Sequence, residues 1–267
     1  MNHYTLSLPL IIVGVYIFLC EATYFAVKST HLDKNPNIIY QTDTSYSRIL
    51  VYQKENLRWL SFSEGAPAQS IMDVNEPHLL IAKYIKYLST HFTQAPWDST
   101  LFIGLGGGSL PGWVRQNFPS HRVEICEIDP DMIELAKRFF NFDPQLYSIT
   151  TSDARIHLRE QREAYDFIVL DAYSSCYIPP HLTTLEFFKQ TRGSLTRSGT
   201  LLVNIANPTP ELLARMINTI ASVYADVSSY EVPESSNIIV IAKGVSTVLK
   251  EPYLTDNYAP VQYLMSK

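Results

Sequence analysis

The chain has 267 residues, 46% of them hydrophobic and 18% charged, with a net charge of −5. That length suits one α/β domain with a smaller appendage, and the composition is ordinary for a globular protein. The mild negative charge and the lack of a long basic run argue against nucleic acid as the main partner. Cys20, Cys126 and Cys176 lack metal-ligand spacing, and the histidines are scattered, so no metal site is expected.

In chain order, residues 1–30 form a hydrophobic N-terminal segment, with an almost wholly apolar run from Leu6 to Cys20. It reads as a membrane anchor through residues 6–27, a cleaved signal peptide or a buried helix. Lys28 and Lys34 follow the run, which favours an anchor with the main domain in the cytoplasm; export after cleavage is the alternative. Residues 36–66 form a small β domain, because Ser47-Arg-Ile-Leu-Val-Tyr and Leu57-Arg-Trp-Leu-Ser-Phe alternate with period two. Residues 67–96 hold a loop, a helix from Pro77 to about Phe92 and a linker at Gln94-Ala-Pro-Trp-Asp.

Strands and helices then alternate over residues 97–267. Strands are expected at Thr100–Gly104, Arg122–Glu127, Tyr147–Thr151, Tyr165–Leu170, Thr200–Ile205, Val227–Tyr230 and Asn237–Ala242. Helices are expected at Leu110–Phe118, Pro130–Phe140, Thr183–Leu195 and Glu211–Tyr224. The pattern predicts a doubly wound, mostly parallel, Rossmann-like sheet preceded by the small antiparallel β domain.

The stretch Leu101-Phe-Ile-Gly-Leu-Gly-Gly-Gly-Ser-Leu110 places a glycine turn between a buried strand and a helix. That arrangement brings a backbone up against a nucleotide-like ligand. Gly104, Gly106 and Gly108 give G-x-G-x-G, with Ser109 where a dinucleotide fingerprint has its third glycine. An S-adenosyl ligand is therefore favoured over NAD or FAD. Ligands of such sheets bind outside the carboxyl ends of the strands, where Glu127, Asp153 and Asp171 each follow a predicted strand. Glu127 is the candidate for ribose, Asp153 with the Ala154 amide for the adenine amino edge, and Asp171 for the reacting end.

The glycine loop, Cys126-Glu-Ile-Asp129, Ser152-Asp-Ala154 and Asp166-Phe-Ile-Val-Leu-Asp171 together resemble spermidine synthase, the polyamine aminopropyltransferases. Ser45-Tyr-Ser-Arg-Ile-Leu-Val51 and Gln69 resemble that family's N-terminal β domain and its glutamine near the cofactor. Leu254-Thr-Asp-Asn-Tyr-Ala-Pro260 resembles the tail of spermidine-synthase-like proteins. The resemblance implies aminopropyl transfer from decarboxylated S-adenosylmethionine to putrescine or a similar small amine, no metal, and a homo-oligomer. It implies cofactor contacts at Gln69, Gly104, Gly106, Gly108, Glu127, Asp153, Ala154 and Asp171.

Three positions depart from the family. Gly107 stands where its loop has an aspartate, Ser174 where it has the catalytic acid, and the stretch near His78-Leu-Leu80 where it has Tyr-His/Gln-Glu. The candidate catalytic residues are therefore Asp171, Ser174 and His181, the last as a base near neutral pH. The alternatives are a methyltransferase using S-adenosylmethionine on a small acceptor and a non-catalytic adenosyl-ligand binding protein.

Overall fold

The computed structural model describes residues 36–94, 96–174 and 177–257. They form two sheets. Strands β1 (Asn37–Asp43), β2 (Arg48–Lys54), β3 (Leu57–Ser61) and β4 (Ser70–Asp73) make an antiparallel sheet in that order. The larger sheet is built from β5 (Ser99–Ile103), β6 (Arg122–Glu127), β7 (Ser148–Thr151), β8 (Tyr165–Leu170), β9 (Leu195–Ala206), β10 (Asp226–Glu231) and β11 (Asn237–Lys243). Its order is β10-β11-β9-β8-β5-β6-β7, parallel from β9 to β7 and antiparallel where β11 joins β9 and β10. This is the Rossmann-like fold expected, with the small antiparallel β domain in front of it.

Helices cover both faces of the large sheet, which is why β5 is buried at every position. Alternate residues supply the two layers. Leu101, Ile103, Ile168, Leu170, Leu201 and Val203 pack with α4 (Ala154–Leu158), α5 (Leu185–Ser194) and α6 (Pro210–Ala221). Phe102, Phe167, Val169 and Leu202 pack on the other side with α1 (Lys83–His91), α2 (Ser109–Asn117) and α3 (Pro130–Phe139). Each fully buried aliphatic chain of this kind contributes about 1.5–3 kcal/mol.

The small sheet docks on α3. Ile49, Val51, Leu60 and Met72 pack against Met132, Leu135 and Phe139. Two polar links fix the docking: Arg58 Nη1 donates to the Phe139 carbonyl at 2.8 Å, and Thr44 Oγ1 donates to Asp129 Oδ2 at 2.6 Å. Asp129 also caps α3 by accepting from the Asp131 amide, with Pro130 in the first turn as expected.

Three expectations are corrected. The helix predicted from Pro77 begins only at Lys83, because Asp73 Oδ1 takes the Asn75 and Glu76 amides at 2.8 and 3.3 Å and holds a turn there. Strand β4 carries the small sheet past residue 66, where it was expected to end, pairing Ser70–Asp73 with Leu57–Leu60. Membrane association is the third: among the described residues no helix is long and apolar enough to cross a membrane. The apolar segment 6–27, Cys176 and the end of the tail motif at 258–260 lie outside the described residues.

Candidate functional site

Register sets the site. Ile103 pairs with Cys126 and with Leu170, Cys126 with Thr150, and Leu170 with Val203. The carboxyl ends of β5, β6, β7 and β8 therefore finish within one residue of level, and β9 runs three residues further, to Ala206. From β5 the chain runs outward to β6 and β7, then returns to β8 on the other side of β5. That reversal opens the crevice in which such sheets take their ligands. Gly104, Glu127, Asp153 and Asp171 all stand at this crest.

Gly104 has φ +95°, and a Cβ there would lie 2.4 Å from the Asp171 carbonyl oxygen. Only glycine lets the ends of β5 and β8 approach so closely. Gly106 and Gly108 also have positive φ, and Gly108 leads directly into α2. Gly107 is constrained by packing: a Cβ would meet the Phe140 ring at 2.9 Å and Ser70 Cβ at 3.0 Å. Ser70 Oγ accepts the Gly107 amide at 2.7 Å. The space beside position 107 is thus filled by Phe140 and the small sheet, which accounts for the missing aspartate. Gln69 is half-buried beside the loop, its amide bonded to the Leu60 carbonyl at 2.7 Å.

Glu127 is 8% exposed. Its Oε2 accepts the Leu105 amide at 2.8 Å and its Oε1 the Asp129 amide at 2.9 Å, so it holds the glycine loop and the start of α3 together. Burial pushes its carboxyl above the usual range against the pull of those amides. Its neighbour Cys126 is a core thiol, pushed up to about 12 by burial and by the surrounding carboxylates.

Asp153 caps α4, accepting the Arg155 and Ile156 amides at 2.8 and 3.4 Å. Its other oxygen meets His181 Nε2 at 2.7 Å. Burial acts to raise this carboxyl, but the imidazole and the two amides outweigh it, so Asp153 lies below the ordinary aspartate value. Ala154 is buried beside it at the first position of α4.

Asp171 ends β8 between two donors. Asn204 Nδ2 donates to Oδ1 at 2.7 Å, and Tyr84 Oη donates to Oδ2 at 3.2 Å. Desolvation raises its pKa, and the two hydrogen bonds oppose the rise. Asn204 is itself held by Asn237 Nδ2 at 2.8 Å. Tyr173 Oη donates to the Asn204 carbonyl at 2.8 Å and accepts the Ala206 amide at 2.6 Å, closing the wall beside Asp171.

The other two catalytic candidates lie on the loop after β8. Ser174 forms a short bridge with Tyr177 through its main chain, the Ser174 amide donating to the Tyr177 carbonyl at 3.0 Å. His181 does not stand free at the acceptor side: it is 7% exposed and turned onto Asp153. Ser70, Tyr84 and Asn204 were missed from the sequence. Asn204 carried a readable signal, a lone amide inside the apolar run Leu201-Leu-Val-Asn-Ile205.

No protein-family model matches the chain. A polyamine aminopropyltransferase of Vibrio vulnificus is 31% identical over 214 residues, covering 77% of this chain and 71% of the relative. Among solved structures, a probable spermidine synthase of Corynebacterium glutamicum superposes with TM-score 0.67 at 18% identity, covering 78% of this chain and 80% of that one. Human methyltransferase-like protein 13, solved in complex with SAH, superposes with TM-score 0.56 at 23% identity, covering 64% and 85%. The structural neighbours share the fold, and the Vibrio relative, matched over most of both sequences, carries the assignment: the chain belongs to the polyamine aminopropyltransferase family, the spermidine synthases.

Proposed function

We propose that this protein transfers an aminopropyl group from decarboxylated S-adenosylmethionine to a small polyamine-type amine. One observation carries the reading: Glu127, Asp153 and Asp171 line one crest around the glycine loop Gly104–Gly108, in a chain of this family. Glu127 takes the ribose hydroxyls with the lone pairs its two amide bonds leave free. Asp153, with the Ala154 amide, takes the adenine amino edge. Asp171 faces the reacting carbon.

The reaction is an in-line displacement. The neutral amine nitrogen attacks the carbon bonded to the sulfonium, the C–N bond forms and the C–S bond breaks. The C–S pair stays on sulfur, leaving neutral methylthioadenosine. The proton shed by the amine passes to Asp171, whose raised pKa makes it a better acceptor than an ordinary aspartate. Its hydrogen bonds to Asn204 and Tyr84 hold the carboxylate still for attack.

A second reading, methyl transfer from S-adenosylmethionine, is favoured by Ser174 standing where the family's catalytic acid belongs and by its main-chain role here. Thermal-shift titration separates the two. The decarboxylated donor and methylthioadenosine are expected to raise the melting temperature more than S-adenosylmethionine does. Preference for the carboxylated form contradicts aminopropyl transfer, and no shift with any of the three contradicts the adenosyl site itself.

A further inference from the structure

His181 is tied to the site in a way neither the fold nor the reaction requires. Its Nε2 lies 2.7 Å from Asp153 Oδ2, while its Nδ1 is buried with no hydrogen-bond partner among the described residues. An ionised carboxylate can only accept, so the proton of this contact sits on Nε2. A proton on Nδ1 would be a buried donor with nothing to receive it. The imidazole's one side-chain bond is thus the donation from Nε2 to Asp153.

Its backbone is held as firmly. Arg155, 5% exposed, donates to the His181 carbonyl at 3.3 Å and grips Asp256 with both terminal nitrogens, at 2.7 and 2.9 Å. Thr184 Oγ1 donates to the same Asp256 at 2.7 Å. The turn after β7, the loop after β8 and the C-terminal segment thus meet on one polar cluster, with His181 Nε2 pointing from it to Asp153.

We propose that His181 is a positioning residue for base recognition. Its bond to Oδ2 fixes the Asp153 carboxylate so that a remaining lone pair meets the 6-amino group of a purine and rejects a 6-oxo group. A carboxylate held only by the helix-capping bonds at Oδ1 keeps freedom to swing, and the second bond removes it. A 6-oxopurine turns a carbonyl oxygen toward the anion, acceptor against acceptor. The inference rests on the adenosyl-site reading above, and it replaces the acceptor-side base role expected of His181.

The test is calorimetric titration of the full chain with methylthioadenosine and with its 6-oxo counterpart, methylthioinosine. Wild type is expected to favour the amino form by at least about tenfold, the equivalent of one charge-assisted hydrogen bond. His181→Gln keeps a nitrogen donor near the place of Nε2 and should hold that ratio within about threefold. His181→Leu fills the space without a donor and should bring the ratio close to one; if it does not fold, His181→Asn, polar but too short, replaces it. A purely structural role would weaken both nucleosides equally and leave the ratio intact, which overturns the inference. Wild-type protein that binds both nucleosides equally overturns it as well. Binding of neither nucleoside overturns the adenosyl site on which the inference stands.

Discussion

Glu127→Gln is expected to lower methylthioadenosine affinity by about a hundredfold. Hydrogen bonds to a charged group contribute about 1.5–3 kcal/mol each, so losing the charge under two ribose hydroxyls approaches two decades in Kd. The structure adds a second effect that the sequence did not foretell. Both carboxylate oxygens of Glu127 already hold buried amides, those of Leu105 and Asp129. An amide side chain satisfies one of them and turns its own donor on the other. The variant should therefore also lose about 1–3 kcal/mol of stability. Calorimetric titration alongside chemical denaturation reads both quantities. Unchanged affinity in a destabilised protein would show that the ribose binds elsewhere and that Glu127 serves only the loop.

Asp171→Asn should lower kcat by about two to four orders of magnitude, the usual contribution of a positioned general base. Methylthioadenosine affinity should stay within about threefold if Asp171 acts at the reacting end as proposed, away from ribose and adenine; a split of this kind marks a residue acting in the transition state. The pH dependence has a definite sign. Desolvation raises the Asp171 pKa, and only the deprotonated form accepts a proton, so wild-type activity rises with pH through a midpoint above the ordinary aspartate value. Steady-state rates from acid to neutral pH read this limb. The asparagine variant should lose the inflection at that midpoint and keep only the rise that follows deprotonation of the amine itself, and a variant that retains wild-type kcat would remove Asp171 from the chemistry.

The centre of the large sheet could be read directly, because β5 and β8 are apolar runs that stop at Gly104 and Asp171. Tyr165–Leu170 agrees with expectation to the residue. Thr200–Ile205 is longer in the structure, extending to Leu195–Ala206, since the polar residues Thr196–Ser198 hide its start. Strand β4 was illegible because four residues carry too little periodicity, and Ser70 gives no local sign that it will hold the Gly107 amide. Tyr84 was hidden similarly: its contact with Asp171 spans 87 residues and depends on where α1 starts. The acids at the strand ends were visible from spacing alone, but their partners were not. His181 looked like an acceptor-side base from its loop, and only the tertiary fold shows it facing Asp153.

Aminopropyl transfer at the adenosyl crest can be read from its products. The most direct measurement incubates the full chain with decarboxylated S-adenosylmethionine and putrescine and follows products by mass spectrometry. Methylthioadenosine and spermidine are expected in equal amounts, with neither formed by Asp171→Asn above a small residual. S-adenosylhomocysteine formed from S-adenosylmethionine and an added amine, with no methylthioadenosine from the decarboxylated donor, would contradict aminopropyl transfer.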